Sequence, residues 1–231
     1  MMKREFNVTG LCVPHKHYMV DISKKINQIK ELIDNGHYFV INRARQYGKT
    51  TTLSVLRRAL ESDYIVISLT FEGLGTENFE SPSKFCQKFT EYVSKALRFT
   101  SETKAYQESW KHAHVADFDL LSEHITHMCE NKNLILIIDE VDKISHNQVF
   151  IDFLSMLRKK FLARQDNLDF TFHSVILAGV YDIKNLKWKI RERNDQLSKS
   201  KERIYHSPWN IAVNFTVDMS FSPERNQNYA G

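Results

Sequence analysis

Residues 38–60 constrain the fold more than any other stretch. A short apolar run over 38–41 passes through Asn42-Arg43-Ala44-Arg45-Gln46-Tyr47-Gly48-Lys49-Thr50-Thr51 into a helical pattern over 49–60, with Leu53, Leu56 and Leu60 on one face. A buried strand that turns directly into a helix aims the backbone N–H groups of the turn and of the helix N-terminus at one point, which suits an anion. Gly48 lets the backbone approach closely, Lys49 supplies a point charge for β and γ phosphates, and the Thr50 hydroxyl is a ligand for Mg²⁺. The phosphate-loop pattern G-x-x-x-x-G-K-[ST] has glycine at its first position, where this chain carries Arg43.

A second motif completes the first. Residues 134–138, Leu-Ile-Leu-Ile-Ile, are wholly apolar and end in Asp139 and Glu140. This strand is expected to lie beside the 38–41 strand, so that both C-terminal ends meet at the phosphates. Asp139 would then hold Mg²⁺, and Glu140 would polarise the attacking water as general base. A buried strand ending in solvated acids accounts equally well for this second motif alone; with Gly48-Lys49-Thr50 upstream, the pair favours the site. Asp142 follows, either near the metal or as a capping or surface residue.

The rest of the chain alternates strands with amphipathic helices, the pattern of an α/β sheet with crossover helices. Helices are expected over 21–34, capped by Asp21 or Ser23 and closed by Asn35-Gly36, over a stripe from Phe85 to Ala96, and over 117–129. A further helix over 147–163 would bury Phe150, Phe153, Leu154, Leu157 and Phe161. Further strands are expected at 64–69, 172–178 and 215–221. Residues 184–205 carry Lys184, Lys187, Lys189, Arg191, Arg193, Lys199, Lys201 and Arg203. They read as an exposed loop, with contact to nucleic-acid phosphates as the alternative.

Composition bounds the class. The 231 residues are 42% apolar and 26% charged, with only 7 Gly and 4 Pro, which excludes a disordered chain. The net charge of +4 permits ATP or nucleic acid without choosing between them. Three cysteines with no CxxC argue against a disulfide framework, and no run resembles a signal peptide or a spanning helix, so a cytoplasmic location with no membrane partner is expected. His124 and His127, with Cys129 close by, would share a helix face but lack a second ligand pair, and His112 and His114 fare no better; Trp110, Trp188 and Trp209 read as packing residues, Trp209 anchoring the last strand.

At HYMVDIS (17–23), YFVINRARQYGKTTTL (38–53), ISLTFEG (67–73), LILIIDEVD (134–142), SVILAGVYDIKNLK (174–187) and SPWNIAVNF (207–215) the chain resembles the bacterial AAA-like P-loop ATPases, similar to archaeal-type and STAND-type ATPases. The resemblance tolerates arginine at the first glycine. It implies a three-layer α/β sandwich with a mainly parallel five-stranded sheet of the additional-strand type over 1–221, with 222–231 standing where a lid would begin and the lid itself absent. It further implies an ATPase that couples Mg-ATP to conformational change, or a nucleotide-dependent switch or scaffold that recruits a protein or nucleic acid. Oligomerisation is allowed. Arg45, Gln46, Tyr47, Gly48, Lys49, Thr50 and Thr51 would hold the nucleotide, with Tyr18 stacked on the base and Met19 beside it. Either Asp182 or Asn185 would sense the γ-phosphate, and Arg45, Arg158 or Arg164 would reach phosphate in the same or a neighbouring subunit.

Overall fold

The computed structural model describes residues 22–42, 49–99, 103–179, 188–190, 203–205 and 208–211. Four strands, β1 (Phe39–Asn42), β2 (Ile65–Thr70), β3 (Leu134–Asp139) and β4 (Ser174–Gly179), form one parallel sheet in the order β1-β4-β3-β2. Around them run α1 (Ser23–Asp34), α2 (Lys49–Leu60), α3 (Pro82–Ala96), α4 (Lys104–Lys111), α5 (Phe118–Cys129) and α6 (Gln148–Gln165).

The wholly apolar strands are explained by burial on both faces. Phe39, Ile41, Ile135, Ile137, Ile176 and Ala178 pack with Ile29 and Ile33 of α1 and with Leu53, Leu56 and Leu60 of α2. Their neighbours Val40, Leu136, Ile138, Val175 and Leu177 pack on the opposite side with Phe85 and Phe89 of α3, Ile125 of α5, and Phe150 and Phe153 of α6. The result is three layers, helix on sheet on helix. Each fully buried large side chain contributes about 1.5–3 kcal/mol. Helix starts are set by side chains: Ser81 accepts from the Lys84 amide ahead of Pro82, Asp117 from Leu120, and Asn147 from Val149.

Several expectations change. The 134–139 strand is not beside β1, because β4 lies between them. The sheet has four strands among the described residues instead of five, and the segment expected to be the fifth, 215–221, lies outside them. Helix α1 starts at Ser23 behind Ile22, which makes no side-chain capping bond; Asp21 lies outside the described residues. Helix α4 was missed, because only Trp110 along it is buried. The 184–205 stretch is not loop throughout: β5 (Trp188–Ile190) and β6 (Arg203–Tyr205) pair as an antiparallel hairpin. Among the described residues no helix is long and apolar enough to cross a membrane.

At the N-terminal end of the sheet, two basic side chains are held by groups of the protein itself. Lys160, on α6, is 1% exposed. Its ammonium donates to Thr126 Oγ1 and Asp169 Oδ2, both at 2.6 Å, while Thr126 donates to Asp169 Oδ1 at 2.7 Å. Phe161, expected inside, is only partly buried. Arg164 donates to the carbonyls of Phe172 (2.6 Å), His173 (2.6 Å) and Gly36 (2.7 Å), tying α6 to the chain entering β1 and β4. Its guanidinium lies over the Tyr38 and Phe161 rings, 5.4 and 5.1 Å from their centroids. Trp209, on a 3-10 turn (Pro208–Ile211), stacks on Tyr38 at 5.7 Å.

Candidate functional site

The opposite end of the sheet gathers charge. Helix α2 begins at Lys49, with no acidic residue in its first turn to compete for its amides. Beside β1 in the sheet, β4 ends at Gly179, level with Asn42 of β1. Next comes β3, ending in Asp139, level with Thr70 of β2. Lys49 reaches past the end of β4 to both acids: its Nζ lies 2.8 Å from Asp139 Oδ1 and 2.6 Å from Glu140 Oε1. All three side chains are largely enclosed, at 10%, 14% and 20% exposure.

The backbone at Glu140 is left-handed, with φ 60° and ψ 34°. A side chain other than glycine there costs of order 1–3 kcal/mol and persists only when its surroundings hold it. Three contacts do so. The Glu140 N–H donates to Asp139 Oδ1 at 2.8 Å, Lys49 holds Oε1, and a 3-10 turn (Val141–Lys143) starts immediately after. That turn brings the Lys143 ammonium to 3.6 Å from Glu140 Oε2, and Lys143 in turn meets Glu72 Oε1 at 3.3 Å. Asp142 lies over the end of β4: a Cβ placed on Gly179 would sit 3.0 Å from Asp142 Oδ1.

The charges are mutually supporting. Burial pulls the Lys49 ammonium toward lower pKa, but its hydrogen bonds to Asp139 and Glu140 outweigh that and raise it. The Lys49 hydrogen bond holds the Glu140 carboxyl below its usual range, against its own desolvation and with help from Lys143. Both groups are therefore charged at neutral pH. Among the described residues no group of three or more His, Cys, Asp or Glu is placed to hold a metal ion alone. The donor set nevertheless suits a cation shared with a polyanion: the Lys49 ammonium already stands between two carboxylates, and the exposed Thr50 hydroxyl is the next residue on the helix.

Of the residues expected at the site, Lys49, Asp139 and Glu140 are in contact, and Thr50 and Thr51 follow on α2. Arg45, Gln46, Tyr47, Gly48, Tyr18, Met19, Asp182 and Asn185 lie outside the described residues. Arg164 is removed from the candidates for phosphate, because three backbone carbonyls at the far end of the sheet hold it. Arg158 lines a shallow surface pocket with Ser155, Lys159 and Leu162 on α6. His124 packs edge-on to Trp110 at 4.5 Å, and burial lowers its pKa; His127 is exposed and Cys129 buried. Lys143 and Glu72 were missed. The one signal for Lys143 was its place three residues after Glu140, and Glu72 could be found only in three dimensions.

The AAA-like domain family matches residues 13–178. No curated protein matches the chain. Among solved structures, a Walker-type ATPase of Pyrococcus abyssi is 13% identical with a TM-score of 0.48, over 75% of this chain and 48% of that one. The Orc1 protein of Aeropyrum pernix, solved in complex with DNA, is 14% identical with a TM-score of 0.44, over 70% and 39%. The Pif1 helicase of Candida albicans is 16% identical with a TM-score of 0.40, over 86% and 40%. The chain thus spans less than half the length of each of these structures. With its family profile matched from residue 13 to 178, the chain belongs to the AAA-like domain family.

Proposed function

We propose that the chain binds Mg-ATP at the C-terminal end of the sheet and hydrolyses it, within a P-loop core over residues 1–221. The observation that carries this reading is the contact of Lys49, at the first residue of the helix after β1, with both acids at the end of β3. In this reading Arg45, Gln46, Tyr47, Gly48 and the first amides of α2 bind the phosphates, and Tyr18 packs on the base. Lys49 leaves the carboxylates for the β and γ phosphates. Thr50 and Asp139 would hold Mg²⁺, which when bound neutralises charge developing on the phosphate oxygens. Glu140, freed on one oxygen, orients a water for in-line attack and takes its proton.

Mg-ATP calorimetry on the parent and on Lys49→Ala tests binding. The parent is expected to bind and Lys49→Ala to lose about ten- to a hundredfold or more in affinity, the worth of a charge-assisted contact. Equal affinity in the two proteins would sink the reading.

The partner we propose is nucleic acid. Residues 184–205 carry eight basic residues against Glu192, Asp195 and Glu202, a net charge of +5, so the remainder of the chain nets −1 of the total +4. In the hairpin within this stretch, Trp188 pairs with Tyr205, Lys189 with Ile204 and Ile190 with Arg203, so both strands mix basic with apolar or aromatic residues. Basic residues among aromatic ones suit a phosphate backbone with exposed bases. DNA binding that falls steeply with salt in the parent, and is lost when Lys187, Lys189, Arg191 and Arg193 become Gln, is the expected result. Undetectable binding at low salt removes nucleic acid and leaves a protein-recruiting switch.

A further inference from the structure

The contact pattern around Glu140 contains a cation that the hydrolytic reading leaves unused. Glu140 has two oxygens and two cations. Oε1 faces Lys49 at 2.6 Å and Oε2 faces Lys143 at 3.6 Å. Lys49 comes from α2, and phosphate competes for it. Lys143 comes from the turn that Glu140 itself starts, and the left-handed backbone of Glu140 is what folds that turn back under its own carboxylate. Lys143 is held from its other side by Glu72 at 3.3 Å, on the loop leaving β2. Glu72 is in turn set by its own amide, which donates to Thr70 Oγ1 at 3.1 Å, and Thr70 is level with Asp139 in the sheet. A continuous chain of contacts therefore runs Thr70, Glu72, Lys143, Glu140.

Once Lys49 turns to phosphate, Glu140 loses its shorter ion pair. A lone carboxylate on a two-carbon stem then has several rotamers open to it, and only some aim at an attacking water. Lys143 is the remaining ammonium in contact with it. We propose that Lys143, tethered by Glu72, is the positioning residue that holds Glu140 in its water-directing rotamer after Lys49 has moved to the phosphates. This inference rests on the hydrolytic reading above. Lys143 acts through Glu140 and touches neither nucleotide nor water. The Glu72 side chain is 69% exposed and that of Lys143 38%, so the tether lies at the surface, where a partner that engages Glu72 would loosen Glu140 without entering the site.

The test separates turnover from binding. Steady-state ATP hydrolysis and Mg-ATP calorimetry are run on the parent, Lys143→Met, Lys143→Arg, Glu72→Gln, the Lys143→Met/Glu72→Gln double variant and Glu140→Gln, with urea unfolding on each. Lys143→Met is expected to lower kcat about ten- to a hundredfold, the cost of a misplaced catalytic group, with Mg-ATP affinity and unfolding midpoint unchanged. Lys143→Arg restores most of the rate. Glu72→Gln lowers kcat less, and the double variant is no slower than Lys143→Met alone, because Glu72 acts only through Lys143. A parent-like kcat in Lys143→Met beside an inactive Glu140→Gln overturns this inference alone. Additive effects of the two substitutions, or a fall in affinity and stability matching the fall in rate, also overturn it. A parent that does not hydrolyse ATP, or a Glu140→Gln protein that turns over normally, removes the hydrolytic reading and this inference with it.

Discussion

The two ends of the sheet hold the same kinds of groups in opposite conditions. At the N-terminal end, Lys160 is 1% exposed and shares Asp169 with Thr126, while Arg164 spends its guanidinium on three backbone carbonyls. Both of these cations are held by partners that belong to the protein. At the C-terminal end, one ammonium serves two carboxylates, one acid sits on a left-handed backbone, and the helix N-terminus carries no acid of its own. One cation there is shared between two acids, and in the proposed reading a polyanion would compete for it. The comparison teaches that a buried ion pair is not by itself a mark of function; the mark is an arrangement that a ligand improves.

The largest expected effect breaks the C-terminal end while sparing the fold. Glu140→Gln keeps the shape and the Asp139–Lys49 contact but removes the base, and hydrolysis should fall about a hundredfold to ten-thousandfold with Mg-ATP affinity retained. Phosphate release against calorimetry checks it.

The N-terminal end should behave in reverse. Asp169→Ala strands the buried Lys160 ammonium and is expected to cost about 3 kcal/mol in urea unfolding, with no change in Mg-ATP affinity. Lys160→Met, which removes the charge and keeps the volume, should cost far less, since Thr126 and Asp169 still bond each other. If both cost the same, the pair is not what that end of the sheet depends on. Arg164→Ala should lose about 2 kcal/mol and leave nucleotide affinity untouched. A loss of affinity would return Arg164 to the phosphate candidates.

A pH series sharpens the comparison further. Burial pushes the Asp169 carboxyl up, but the hydrogen bonds from Lys160 and Thr126 outweigh it and hold its pKa below the ordinary 3.8. A depressed folded-state value means that the stabilisation is fully present above the unfolded value and fades as pH falls through the folded one. The stability gap between parent and Asp169→Asn should therefore stay constant from neutral pH down to about pH 4 and close only below it. A gap that closes nearer pH 6 contradicts the assignment. The smallest effect is expected at Gly179→Ala. The added Cβ meets Asp142 Oδ1 at 3.0 Å, a close contact with a side chain and not with backbone, so stability should drop by about 1 kcal/mol. Any larger change in ATP turnover than in stability would place Asp142 in the reaction.

The sequence by itself determined the elements and the two ends of the site. Apolar runs bounded by turn residues located four strands to within two residues, and stripes at helical spacing located five of the six helices. Lys49 and Asp139-Glu140 were legible as candidates because the first opens the helix after β1 and the second closes β3, where topology leaves little choice of what they face. Only the tertiary structure decided the neighbours. Strand order is not written in any one segment, so the insertion of β4 between β1 and β3 could not be read from the apolar runs that all three share. Lys160 and Phe161 are adjacent on a helix whose face turns about 100° per residue, and Asp169 and Thr126, far apart in sequence, settle which of them goes inward. Arg164 looked free for phosphate until the carbonyls of Gly36, Phe172 and His173 converged on it. Local spacing fixes what a residue can face along its own element; which charge meets which across the sheet depends on long-range packing, and that is where Lys49, between two carboxylates, and Arg164, among three backbone carbonyls, part company.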